Sequence, residues 1–360
     1  MKVGIVGLPN AGKSSLFNAL TQAGVAAANY PFTTVEPNVA IVSVPDDRLD
    51  AVVATIKAKP TVYETMEFHD IAGLVRGAHE GEGLGNRFLA NIRETDALVH
   101  VVRAHTDEQV VHPEGKVDPG SDVETIETEL LYADLEQAER RLEKVVREAR
   151  SGDKEKVAEE KWLRELIDAL RAGRPARTVP APEAAPDAMR NLSPLTSKPV
   201  LYLANVGEGD PLEVPQELAV HAEAAGARAA AVSARLESEL AELDPEEAQA
   251  MRDDLGAGES GLATVIGEAW KLLGLITFFT AGEGKEGRAW AIEQGTHARP
   301  ASGKIHTDIE RGFVAAEVVS WKDLVELGSY QAARENAKLR MEGREYVMRD
   351  GDVITVRFTP

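Results

Sequence analysis

The 360 residues include no cysteine, which excludes disulfides and thiolate-ligated zinc and fits a reducing, cytoplasmic setting. No apolar run approaches the roughly 20 residues that a membrane span needs, so no membrane association is expected. The chain opens directly on a strand-like segment, which leaves no room for a secretory leader. Basic charge is also scarce. Against 60 Asp and Glu stand 40 Lys and Arg, a net charge of −20, which argues against DNA or other nucleic acid binding by the chain as a whole. The deficit is uneven: residues 278–360 hold 12 basic and 13 acidic residues, so −19 falls on the remainder. A polyanion contact is therefore expected at the C-terminal end, around Lys304, His306, Arg311 and Arg340.

The most informative stretch is Gly7-Leu8-Pro9-Asn10-Ala11-Gly12-Lys13-Ser14, after the apolar Val3, Ile5 and Val6. Gly, four residues, Gly, Lys and Ser is the spacing of a phosphate-binding loop. The glycines let the backbone turn tightly, so that N–H groups face phosphate oxygens, and the following helix adds its positive end. Lys13 supplies a point charge for the β- and γ-phosphates, and the Ser14 hydroxyl suits Mg²⁺. Thr34 follows in a loop where a second hydroxyl on Mg²⁺ is expected. Asp70 ends a strand-like Met66–Asp70, and Asp70-Ile71-Ala72-Gly73 is read as a water-mediated Mg²⁺ contact plus a backbone N–H for the γ-phosphate. Gly77, Gly81, Gly83 and Gly85 then read either as a surface loop or as a switch segment.

A glutamine is missing where it matters. Ras-like hydrolases orient the attacking water with Gln after this glycine, but here the residue is Leu74. His112, in a Pro- and Gly-rich loop with His105, is the first candidate for handling the water, and His79 is the second.

Apolar residues at helical spacing from Val123 to Ala149, and again from Val157 to about Ala172, predict an antiparallel helical hairpin. A Pro-rich linker over 173–186 follows. Strand signals at 199–204 and 228–233 continue a strand–helix alternation, which predicts an α/β fold with a mostly parallel sheet. Asn205-Val206-Gly207-Glu208 ends the first of these strands, where a guanine-reading corner has Asn-Lys-x-Asp. Val206 cannot stack a charged stem on the base, and Glu208 would crowd guanine's edge. Ser233 closes the base pocket from the other side. After Leu275 the sequence becomes strand-rich, with a helix over 321–327 that extends through 332–341, and reads as a small α+β domain of β-grasp type.

Three segments resemble the Obg-like P-loop proteins: Gly4–Ser14, Tyr30-Pro31-Phe32-Thr33-Thr34-Val35-Glu36-Pro37-Asn38, and Asp70–Val75. The base corner, Phe278-Phe279-Thr280-Ala281-Gly282 and Gly303-Lys304-Ile305-His306-Thr307-Asp308 are similar to the YchF branch, over essentially the whole length. The resemblance implies a P-loop NTPase with a nucleotide domain, a helical hairpin insertion and a C-terminal TGS domain. It also implies ATP hydrolysis preferred over GTP, Mg²⁺, and association with the ribosome, its RNA or translation and stress factors. Leu74 fits that branch's hydrophobic replacement of Gln, and Asn10 matches a residue that coordinates K⁺ in some relatives. Ser15 departs from the more usual Thr, and His79 from the frequent Ser.

The expected domains are thus 1–277, interrupted by a 121–190 insertion and linker, and 278–360. Lys13 and His112 are the expected catalytic residues. Asn10, Ala11, Gly12, Lys13, Ser14, Ser15, Gly73, Asn205, Val206, Glu208 and Ser233 are the expected nucleotide contacts, and Ser14, Thr34 and Asp70 the Mg²⁺ ligands. An ATPase switch is the leading reading. An Obg-type GTPase, or a ribosome- or RNA-binding module with incidental hydrolysis, are the alternatives.

Overall fold

The computed structural model describes residues 1–27, 38–71, 84–107, 110, 112–113, 115–255, 258 and 260–359. The chain divides into two compact units, Met1–Val42 with Glu67–Leu273, and Ser43–Met66 with Gly274–Pro360. The sequence keeps 43–66 with the nucleotide domain, whereas the structure groups it with the C-terminal unit. The cause is the helix Asp47–Ile56: its Leu49, Val52 and Ile56 pack in one core with Phe279, Ala289, Val319, Leu324 and Val353.

The first unit is built on a sheet ordered Val39–Val44, Glu64–Asp70, Lys2–Val6, Ala97–Arg103, Val200–Asn205 and Arg228–Val232. From Glu64–Asp70 onward every pairing is parallel. All seven residues of Ala97–Arg103 are buried, as a strand covered on both faces must be. After Lys2–Val6 the chain adds strands on one side, then returns to place Ala97–Arg103 on the other. Such a reversal opens a crevice at the carboxyl ends of the strands, and Gly7 begins there.

The expected hairpin is formed by Pro119–Ala149 and Lys154–Arg171. Asp118 and Asp153 cap the two helices, accepting backbone N–H groups that the first turn leaves unpaired. Glu148–Lys156 at 3.8 Å, Arg141–Glu159 at 2.6 Å and Glu139–Arg171 at 2.6 Å lie between the helices in antiparallel order. Burial of Ala138, Val145, Trp162, Leu166 and Leu170 holds the pair together. The Pro-rich stretch is not a free linker, since Ala176 and Ala185 join this core and Trp162 Nε1 donates to the Val179 carbonyl at 3.1 Å. Buried Asp134, on the long helix, accepts from Leu195 N (2.7 Å), Thr196 N (2.8 Å) and Thr196 Oγ1 (2.6 Å).

The second unit carries a mixed sheet ordered Arg340–Glu342, Phe313–Ser320, Asp352–Phe358, Leu275–Thr280, Gly287–Glu293 and Thr61–Val62. The helix expected to run from 321 through 341 is broken. Trp321–Leu327 ends at Gly328, whose φ of 78° is left-handed and cheap only for glycine. Ser329 then caps a separate helix, Tyr330–Glu335, and Arg340–Glu342 leaves to pair with Phe313–Ser320.

Asp134→Ala would leave two backbone N–H groups and a hydroxyl without their acceptor, a cost of about 2–4 kcal/mol. The Leu195 and Thr196 amides should then exchange with solvent on the order of 30- to 1,000-fold faster. Unchanged protection at both amides would show that Asp134 does not hold this segment.

Candidate nucleotide-binding site

The strand Lys2–Val6 delivers the chain to Gly7, and the helix Lys13–Ala27 carries it away. Between them Asn10 (φ 64°) and Gly12 (φ 101°) turn left-handed. A Cβ at Gly7 would press into the Val101 carbonyl, and one at Gly12 into Asn205 Nδ2. Both glycines of the pattern are thus required by close packing as well as by turning.

Lys13 is only 8 % exposed, and its ammonium donates to the Leu8 carbonyl at 2.8 Å. Burial lowers its pKa to about 8, with the Asp70 carboxylate pulling the other way. Asp70, at the end of Glu64–Asp70, has its pKa raised by burial and is partly restored by Lys13. Ser14 is exposed and lines the same cavity as Asn10, Gly12, Lys13 and Ser15.

That cavity, about 760 Å³, is completed by Asn205, Val206 and Glu208. Residues nearly 200 positions apart in sequence are joined through Asn205. Its Nδ2 donates to the Ala11 carbonyl at 3.0 Å, and its Oδ1 accepts from Ala234 N at 3.0 Å. Val206 is buried and packs with Val102, Tyr202 and Leu218. The Glu208 carboxylate is paired with Arg235 at 2.7 Å. Ala11 and Ser233 lie behind the lining; the Ser233 Oγ is buried and has no hydrogen-bond partner among the described residues.

Three features escape a sequence reading. Arg103 ends the buried strand and is itself only 2 % exposed. Its guanidinium donates to the carbonyls of His105 (3.1 Å), Val110 (3.0 Å) and Asp107 (3.2 Å), which fixes the loop flanking the cavity. His105 bonds through Nδ1 to the Asn205 carbonyl at 2.9 Å. Arg235 holds Glu208. A charge closing a strand that is apolar apart from His100 was the one signal for Arg103.

His112 is placed elsewhere than the cavity lining. Its Nε2 meets Asp122 Oδ2 at 2.9 Å, with side chains 6 % and 4 % exposed. Thr34, Gly73, Leu74 and His79 lie outside the described residues.

A glycine-turned loop between parallel strand and helix, with a buried lysine and a carboxylate on the adjacent strand, defines the P-loop nucleoside-triphosphate-binding class. Comparison with known proteins narrows the class. Residues 2–141 match the family described as 50S ribosome-binding GTPase, and residues 275–359 match the YchF-GTPase C-terminal family, described as a protein of unknown function. The chain is 49 % identical to the ribosome-binding ATPase YchF of Bacillus subtilis and 47 % identical to that of Escherichia coli O157:H7, with 99 % of each chain covered in both cases. A solved structure, the YchF GTPase of Schizosaccharomyces pombe, superposes with a TM-score of 0.87 at 36 % identity, over 99 % of this chain and 97 % of that one. The chain belongs to the YchF family. Among the described residues no helix is long and apolar enough to cross a membrane.

A lysine with a pKa near 8 loses its charge as pH rises through that value, while a bound phosphate requires the ammonium. Nucleotide binding should therefore take up a proton above pH 8, and affinity should fall by up to about tenfold per pH unit. Calorimetry of ADP binding in buffers of differing ionisation enthalpy measures this. A Lys13→Met variant should bind weakly with no proton uptake, and identical uptake in that variant would remove Lys13 from the linkage.

Proposed function

We propose that this chain hydrolyses ATP to ADP and phosphate in preference to GTP, and that it acts as a nucleotide-dependent switch on the ribosome. The relatives named as ribosome-binding ATPases, 43–49 % identical over nearly the whole chain, support the activity and the partner. The observation that carries the base preference is the Glu208–Arg235 pair at 2.7 Å. Guanine selection needs a carboxylate free to accept from N1–H and the 2-amino group. Here the carboxylate is longer and already meets a guanidinium, which it shares with Glu239 at 3.2 Å. Val206, which stands where a lysine stem would cover the base, is turned into the core. Adenine carries no N1–H and needs neither group.

On the phosphate side, Lys13 supplies the positive charge and the loop supplies backbone donors. The Ser14 hydroxyl and the Asp70 carboxylate are hard oxygen donors, the chemistry that suits Mg²⁺, with Thr34 a third candidate. Among the described residues no group of three or more His, Cys, Asp or Glu could form a metal cage, and Mg²⁺ in such sites takes most of its ligands from phosphate and water. Ser14, Asp70 and Thr34 would hold Mg²⁺, which would supply positive charge against the negative charge that develops on the phosphates. Asn10, which lines the cavity in a left-handed turn, is the residue offered to K⁺. His112 remains the proposed water-handling group, and this role requires its pair with Asp122 to open. The near-neutral charge of 278–360 makes that segment the one least repelled by ribosomal RNA.

Val206→Lys with Glu208→Asp should shift selectivity toward GTP in a competition assay. If the unaltered chain already binds GTP tenfold or more tightly than ATP, the reading of the base corner is wrong.

Lys13→Ala should reduce turnover at least a hundredfold, because the lost contact acts on the transition state as well as on binding. His112→Ala should abolish hydrolysis with ATP affinity within a few-fold of the unaltered chain. An unchanged hydrolysis rate in the His112 variant would assign the water to another group.

A further inference from the structure

A second cavity lies in the first unit, between the parallel sheet and the long helix Pro119–Ala149. It has a volume of about 350 Å³ and, among the described residues, shares no lining residue with the nucleotide cavity. Its walls are mainly aliphatic, formed by Leu98, Ile126, Leu130, Leu195 and Val200. Well-packed interiors hold few voids larger than a water molecule, and ligand pockets begin at roughly 300 Å³.

His100 lines this cavity and is 97 % buried, being 3 % exposed. Its Nε2 has no hydrogen-bond partner among the described residues. Burial holds the imidazole down to about 4, so at neutral pH it is uncharged, with one ring N–H and one lone pair.

The remaining polar lining sorts by charge. The Tyr202 hydroxyl donates to Glu127, and His221 Nε2 bonds to the same carboxylate at 3.1 Å. The Glu127 carboxylate is therefore already hydrogen-bonded inside the protein. At the rim, the exposed Arg174 and the half-buried Arg177 present guanidinium groups; that of Arg177 also bonds the Thr196 carbonyl at 3.3 Å and the Tyr202 side chain. An apolar interior with cationic side chains at its mouth complements a ligand with one greasy end and one negative end.

We propose that this cavity is a second binding site, for a small amphiphile with an apolar body and a single anionic head held by Arg174 and Arg177. The small volume limits the body to a short chain or one or two rings.

The test uses decanoate as the probe and calorimetry on the full chain. Decanoate should bind saturably, once per chain. Leu130→Trp, which fills the cavity, should abolish that binding, and Arg177→Ala should weaken it about tenfold or more. ADP affinity should stay unchanged in both variants. Because a core tryptophan can disturb folding, Ala224→Trp at the rim serves as a second block and should give the same loss. Decanol and decyltrimethylammonium should bind at least tenfold more weakly than decanoate. The proposal is overturned if decanoate does not saturate, if it binds equally to the Leu130→Trp and Ala224→Trp variants, or if the uncharged and cationic probes bind as tightly.

Discussion

The side-chain amide of Asn205 is the joint on which the nucleotide site depends. Asparagine carries a donor and an acceptor fixed in one plane, and both are used: Nδ2 on Ala11 of the phosphate loop, Oδ1 on the Ala234 amide. Its backbone carbonyl meanwhile accepts from Ala104 N at 2.9 Å and from His105 at 2.9 Å. One residue therefore ties together the glycine-turned loop, the turn at Ser233 and Ala234, and the segment along the flank. The absence of a side chain at Gly12 is the steric counterpart, since any Cβ there would occupy the space of the Asn205 amide. An aspartate could keep the bond from Ala234 but would set a negative oxygen against the Ala11 carbonyl.

What could be read in advance follows from how local each cause is. The phosphate loop declares itself because glycine, lysine and serine act within eight residues. The hairpin was legible because 3–4 spacing persists over Val123–Ala149 and returns after the turn. The membership of 43–66 was not, because the partners of Leu49, Val52 and Ile56 lie more than 220 residues away. Nor was the state of Glu208, whose carboxylate is set by Arg235, far along the chain. Arg103 shows the same limit. Its role is to satisfy three carbonyls of a loop, and backbone carbonyls leave no trace in a sequence. The break at Gly328 is a different kind of miss. The helical pattern of 332–341 was real, but a left-handed cap and a strand partner for 340–342 outweighed propensity.

Acidic residues dominate the first unit, and two of them show how buried carboxylates are accommodated. Asp134 has its pKa raised by desolvation, while the two amides and the hydroxyl that donate to it favour the charged form. Glu237 accepts both guanidinium arms of Arg252, at 2.8 and 2.7 Å, and the Gly261 amide at 2.9 Å. The bonds to Asp134 span 61 and 62 residues of sequence and those to Glu237 span 15 and 24, and each set holds a chain reversal in place. The exposed ion pairs of the hairpin surface, such as Lys161–Glu165 at 3.8 Å, contribute little by comparison. Stability here comes from burial and from fully satisfied polar groups.

The glycine-turned loop stands apart because, among the described residues, the two charges beside it are not fully satisfied. Lys13 is buried with one carbonyl and a distant carboxylate for company, and Asp70 is half-buried. Each has its pKa displaced by desolvation toward the neutral form, so each is held in a state less favourable than in water. In the proposed function a polyphosphate would bring negative charge to the lysine, and a hard divalent cation would bring positive charge to the carboxylate. The desolvation cost has been met during folding, by packing elsewhere in the sheet. Ligand binding then gains the interaction of charges that are already fixed and dry, without having to reorganise solvent around them. The same argument makes the site's stability depend on occupancy, since anything that binds only the folded arrangement of Lys13 and Asp70 draws the local equilibrium toward it.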